Sequence, residues 1–281
     1  MYLANARPNL PVANFTYPRN ISRNSGARYD ERDKMEPTTQ MLIYLFIGLF
    51  AGFMSGMFGI GGGSVRTPLL YVAGLPLLSA FGVNLLVIPF SSLTGAISHR
   101  KNIDWEIARY VIIGGTMGTL AGAVLTGIIS TLVLAIIFVI VSIMTVFGIY
   151  FDRIFPEIAQ KINPSAKIVI LGTFFLNFLT ILRGGSGGSL FPPFLKIIGL
   201  SIRKAIATSL FATIFTAIAG AIVFWSRGNI PFLPAVMVVV GSIIGARIGS
   251  LMSLKTKALW LEIGLSLFIV ILAIMVLVKA I

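Results

Sequence analysis

The sequence predicts an all-α polytopic membrane protein made of two homologous repeats, each about four spans plus a short broken or re-entrant helix after a glycine-rich loop. Three observations carry this reading: a composition too apolar for water, long uncharged runs of bilayer length, and a glycine-rich pattern that occurs twice in register.

Of the 281 residues, 57% are apolar and 11% are charged, against about 45–50% and about 25% in soluble domains. Mean hydropathy is +0.96. Too little polar surface exists to coat a globule in water, so lipid must cover it. The formal charge is +13, but most Lys and Arg fall in short gaps between apolar runs, as the positive-inside bias of membrane proteins requires. Nucleic acid is therefore not an expected partner. The chain has no Cys and one His, His99. Disulfides, zinc–thiolate sites and multi-histidine metal sites are excluded, and no metal or cofactor is expected.

Residues 1–40 are polar and carry Arg7, Arg19, Arg23, Arg28, Arg32 and Lys34 beside four acids. They lack the early apolar core of a signal peptide and read as a flexible N-terminal tail. Residues 41–150 form the first transmembrane repeat, 151–165 a connecting loop, and 166–281 the second repeat. A crossing helix needs about 20 mostly apolar residues. The runs 41–57, 79–98, 107–129, 131–150, 167–182, 204–225, 232–252 and 258–278 suit that role. Two further runs, 64–73 and 189–198, follow glycine clusters, end at a glycine, and are too short to cross alone.

The repeat is read from register. Gly59–Ser64 (GIGGGS) aligns with Gly184–Ser189 (GGSGGS) at an offset of 125, which also pairs Pro68 with Pro193 and Gly74-Leu75 with Gly199-Leu200. The same offset pairs Ala80 with Ala205 and Gly95-Ala96 with Gly220-Ala221. Beyond the next loop the offset is 127, pairing Asn102-Ile103 with Asn229-Ile230 and Gly114, Gly118, Gly122 with Gly241, Gly245, Gly249. Glycines at i, i+4, i+8 share one helix face and let helix backbones approach closely in lipid. These triplets, with Gly48, Gly52 and Gly56, read as packing seams. If the short runs are re-entrant, eight spans and parallel repeats result, with the basic loops on one side. If they cross, ten segments and inverted repeats result, as in many transporters.

Glycine-rich backbone is tolerated at membrane depth only against protein or a polar cavity. At a helix N-terminus its N–H groups and the helix dipole favour an anion. Gly61, Gly62, Gly63, Ser64 and Thr67 in the first cluster, and Ser186, Gly187, Gly188 and Ser189 in the second, are the candidate cradle for a tetrahedral or pyramidal oxyanion. Arg66 and Arg183 flank the clusters, and Arg247 lies within an apolar run. An intramembrane Arg is expensive and marks function by default, and guanidinium matches oxyanion geometry. The alternative places these Arg at the membrane interface, snorkelling to headgroups. Asn84 and Ser209, equivalent at the 125 offset, line the same cavity or bond helix to helix. Outside the tail the acids are Asp104, Glu106, Asp152, Glu157 and Glu262, too few within spans for a cation pathway.

The stretch Gly48–Pro68 (GLFAGFMSGMFGIGGGSVRTP), the stretch Gly184–Pro193 (GGSGGSLFPP) and the Gly241–Gly249 segment resemble the TauE/SafE sulfite exporter family. The resemblance covers about 41–281. It implies a membrane permease for sulfite, sulfonates or related sulfur anions, with the family's glycine motifs at Gly59, Gly61, Gly62, Gly63 and Pro68 and at Gly184, Gly185, Gly187, Gly188 and Pro193. Arg183, where many relatives carry a small or apolar residue, and the long polar tail depart from its pattern. The expected function is a secondary transporter, in the exporting direction, of a small sulfur-containing anion bound between the two loops in the cell membrane. A passive anion channel or an uptake permease for another small anion is the alternative. No nucleotide-binding motif is present, an enzyme is not expected, and oligomerisation is allowed.

Overall fold

A computed structural model describes residues 37–154, 165–253, 266–267, 270–271 and 273–279. Residues 1–36 of the expected tail, 155–164 of the expected 151–165 loop and much of the last expected span, 258–278, lie outside the described residues, while 37–40 and 151–154 are helical. The described chain is helical: α1 (Pro37–Phe58), α2 (Gly63–Val72), α3 (Leu77–His99), a short 3-10 turn (Arg100–Asn102), α4 (Trp105–Thr126), α5 (Thr131–Ile154), α6 (Ala166–Leu182), α7 (Phe191–Ile197), α8 (Ile202–Ser226) and α9 (Phe232–Ser253). Among the described residues, six helices are long and apolar enough to cross a membrane, namely α1, α3, α4, α5, α8 and α9. Helix α6 is apolar but shorter.

Local chemistry sets the ends. Asp104 caps α4 by accepting from the Ile107 amide at 3.2 Å, and Ser165 caps α6 by accepting from Ile168 at 3.4 Å. Helices α2 and α7 stop alike. Gly74 and Gly199 take positive φ of 106° and 97°, while Leu75 donates back to Leu70 at 3.1 Å and Leu200 to Leu195 at 3.0 Å. This is the glycine C-terminal motif, placed twice at the 125 spacing. The second short helix begins at Phe191 rather than at Ser189, because the paired prolines Pro192 and Pro193 fit its first turn.

The glycine triplets are seams. A Cβ on Gly48, Gly52 or Gly56 would strike the backbone of Val238, Ser242 or Ala246 in turn, so α1 and α9 pack backbone to backbone and run the same way. Likewise Gly114, Gly118 and Gly122 of α4 meet Ile170, Phe174 and Phe178 of α6 in the same order. Helix α3 also runs with α9: Gly82 lies against Asn229 and Gly95 against Ser250. Helix α8 runs with α4, with Thr216 against Gly115 and Thr119 against Gly220. By contrast α3 and α8 are antiparallel, since Gly95 meets Leu210 and Leu85 meets Gly220.

Directions follow. Helices α1 and α3 point the same way, so residues 59–76, including α2, carry the chain back between them. Residues 183–201, including α7, do the same between α6 and α8. Outward faces stay apolar, with Phe46, Met117 and Ile222 among the exposed side chains, as lipid contact demands. Inside, polar side chains concentrate around the two glycine loops, and these position the site.

Candidate functional site

The two glycine clusters meet in the interior. A Cβ on Gly188 would collide with the Ile60 carbonyl, and one on Gly63 would lie 3.4 Å from the Gly185 Cα. At Gly188 only glycine permits this approach. Gly61, Gly62, Gly184 and Gly187 also hold φ between 64° and 73°, a left-handed backbone costly for other residues.

Two arginines enter this contact, and both are buried within the protein. Arg66, in α2, is 0% exposed and Arg183, at the end of α6, is 2% exposed. Arg66 donates through Nη1 to Asn84 Oδ1 at 2.6 Å and to the Gly61 carbonyl at 3.5 Å, and through Nη2 to Ser242 Oγ at 3.1 Å. Arg183 donates through Nη1 to Ser142 Oγ at 3.3 Å. Its Nη2 reaches Ser64 Oγ at 2.8 Å and also Ser189 Oγ. One nitrogen thus bridges two serines that occupy equivalent places in the two clusters. The Phe138 ring lies 5.9 Å from the Arg183 guanidinium. The Nε of each arginine has no hydrogen-bond partner among the described residues.

The partners are neutral. The carboxylates among the described side chains are Asp104 and Glu106; Asp104 lies 3.8 Å from Lys204, and Glu106 is exposed. An ionised guanidinium out of water costs several kcal/mol when no charge opposes it. Two of them bonded into the same loop contact, Arg66 through Asn84 and Arg183 through Ser64, make an electrostatic demand for an anion.

The remaining expected residues fall as follows. Asn84 Nδ2 donates to the Gly184 carbonyl at 2.5 Å, and Ser209 donates to the Gly59 carbonyl at 3.1 Å. Each helix therefore holds the opposite glycine loop. Ser186 pairs with Thr216 at 2.7 Å. Thr67 is buried beside Arg66, and its hydroxyl has no partner among the described residues. Arg247 is not brought in: it is exposed and donates to Ser98 Oγ at 2.9 Å. It sits two residues past Gly245, about 200° around the helix, so the face that carries the seam turns it away from the interior.

Sequence reasoning missed four contributors. Ser242 and Ser142 receive the arginines. Asn177 donates to the Gly115 carbonyl and to Thr119 Oγ1, both at 2.6 Å. Thr180 accepts from the Gly187 amide at 2.8 Å, fixing the second loop. Their signal was polarity within apolar runs, with Asn177 and Thr180 at i, i+3 on one face.

Comparison with known proteins identifies a membrane transporter family. The family model described as sulfite exporter TauE/SafE matches residues 44–276. A "probable membrane transporter protein" of Haemophilus influenzae is 26% identical, over 86% of this chain and 99% of its own length. Bacillus subtilis YdhB, bearing the same description, is 28% identical over 75% of this chain and 89% of its own. Escherichia coli YfcA, described likewise, is 25% identical over 74% and 78%. No solved structure matches the chain.

Proposed function

The chain belongs to the sulfite exporter TauE/SafE family, and from that membership we propose that it is a secondary transporter exporting a small sulfur-containing anion such as sulfite, thiosulfate or an organosulfonate. The family and the six candidate spans make it a multi-pass membrane protein of transporter type. Transporter relatives also speak against an enzyme. The observation that carries the substrate reading is the buried arginine pair, Arg66 and Arg183, set where the two glycine loops touch and opposed by no described carboxylate.

The anion is held by Arg66, Arg183, the hydroxyls of Ser64, Thr67, Ser186 and Ser189, and the backbone of Gly61, Gly62, Gly63, Gly187 and Gly188. Asn84 and Ser209 position the loops. Ten segments in two inverted five-segment repeats, rather than eight spans in parallel repeats, form the scaffold. Support comes from helix direction: α1 and α6 open the two halves in opposite senses, and α2 and α7 occupy returning segments. Inverted repeats that meet at a central site suit alternating access, in which one half rocks against the other around a fixed ligand.

The test is flux of radiolabelled sulfite, thiosulfate and sulfate in proteoliposomes. Saturable flux of a sulfur anion, dependent on a gradient and lost in Arg183→Ala, supports the carrier. Non-saturating flux indicates a channel instead. No flux of any sulfur anion under pH or potential gradients removes the substrate assignment.

A further inference from the structure

Resting on that transporter reading, we infer that the site selects a doubly charged anion: thiosulfate, or sulfite after loss of its last proton, over hydrogen sulfite and over sulfonate monoanions. The geometry supplies the charge count. Arg66 and Arg183 are both withdrawn from water, and every described partner of their nitrogens is a carbonyl, an amide oxygen or a hydroxyl. None of these cancels charge. A single negative charge leaves one guanidinium uncompensated in a low-dielectric interior; two negative charges leave the site neutral.

Donors outnumber acceptors in the same place. The Nε of each arginine is a buried donor with no partner among the described residues. Ser64 and Ser189 each accept from Arg183 Nη2. Their hydroxyl protons remain available to donate, with no acceptor among the described residues. The guanidinium nitrogens only donate, so an oxygen that carries a proton offers them fewer acceptor sites than a bare oxygen does. An oxyanion with every oxygen unprotonated offers these donors the most acceptor sites.

The arginine pair is not a product of duplication. At the 125 offset, the position equivalent to Arg66 is Phe191, and the position equivalent to Arg183 is Phe58. Each half contributes one guanidinium from a different place in its motif. A dianion is harder to dehydrate than a monoanion, but both guanidiniums are already dehydrated by the fold. The second charge therefore gains a second charge-assisted contact with no further reorganisation of the protein.

The closing experiment measures binding and flux separately. Calorimetry on the purified full chain would compare thiosulfate, methanesulfonate and sulfite across a pH series spanning neutrality. Thiosulfate is expected to bind about ten- to hundredfold more tightly than methanesulfonate. Sulfite affinity should climb as hydrogen sulfite loses its proton, while thiosulfate affinity stays level. Arg66→Gln should bring the thiosulfate and methanesulfonate affinities close together, and the wild-type pH series decides the matter if that variant does not fold. Equal affinities with a flat sulfite profile would overturn charge selection and leave transport standing. Tighter binding of thiosulfate than of methanesulfonate, without flux in proteoliposomes, would uphold charge selection and overturn transport.

Discussion

Asn84 holds both halves of the site at once: its Oδ1 accepts from Arg66 at 2.6 Å while its Nδ2 donates to the Gly184 carbonyl at 2.5 Å. Its counterpart at the 125 offset, Ser209, makes the reciprocal bond to Gly59, the counterpart of Gly184. Each half thus fixes the opposite glycine loop, and only the asparagine also orients an arginine.

Asn84→Asp should therefore separate binding from folding. The new carboxylate sits against Arg66, cancels its charge and competes with the anion. Anion affinity is expected to fall at least tenfold, which corresponds to about 1.4 kcal/mol. Detergent-solubilised protein should stay folded by thermal melt, because the lost bond to Gly184 is offset by a buried ion pair. Unchanged affinity would remove Arg66 from the binding site.

Arg183→Lys keeps the charge and loses the fork. One ammonium cannot span Ser142, Ser64 and Ser189 as the guanidinium does. Flux should drop about tenfold or more, with Arg183→Gln lower still, measured in proteoliposomes at matched protein density. Equal flux in wild type and Arg183→Lys would show that geometry at this position is immaterial.

Glycine substitutions should sort by space. In Gly245→Ala the new methyl meets the Leu49 carbonyl, so α1 and α9 must separate, at a cost of about 1–3 kcal/mol. Gly148→Ala places its methyl 3.5 Å from the Pro193 side chain, an ordinary contact, and should leave stability unchanged or improved. Thermal melts of the two variants, run side by side, check the pair.

Arg247→Gln is the control among the arginines. The exposed side chain donates a hydrogen bond to Ser98. Flux is expected to stay within about twofold of wild type, the scale of a surface substitution. A loss comparable to that of Arg183→Gln would return Arg247 to the site.

How much of this was legible depends on the kind of signal. The seams were visible because glycine at every fourth position has one economical use in lipid, and the paired loops were visible because their offset persists over many residues. The partners of the arginines were not. Ser142 and Ser242 look like any serine in an apolar run, and only packing between distant helices brings them within reach. The outward direction of Arg247 is legible in its angle to the glycine seam of the same helix. The length of the second short helix was overestimated because its prolines begin it rather than interrupt it.

The two guanidiniums have an electrical consequence. With a dianion bound between them, the central site carries no net charge; without one it carries two positive charges. Moving one charge through a potential of 100 mV is worth about 2.3 kcal/mol. An inside-negative membrane then exerts little pull on the loaded carrier and a strong inward pull on the empty one. In the export cycle proposed above, voltage would reset the empty protein toward the interior after each release, and the return stroke would drive outward traffic of the anion.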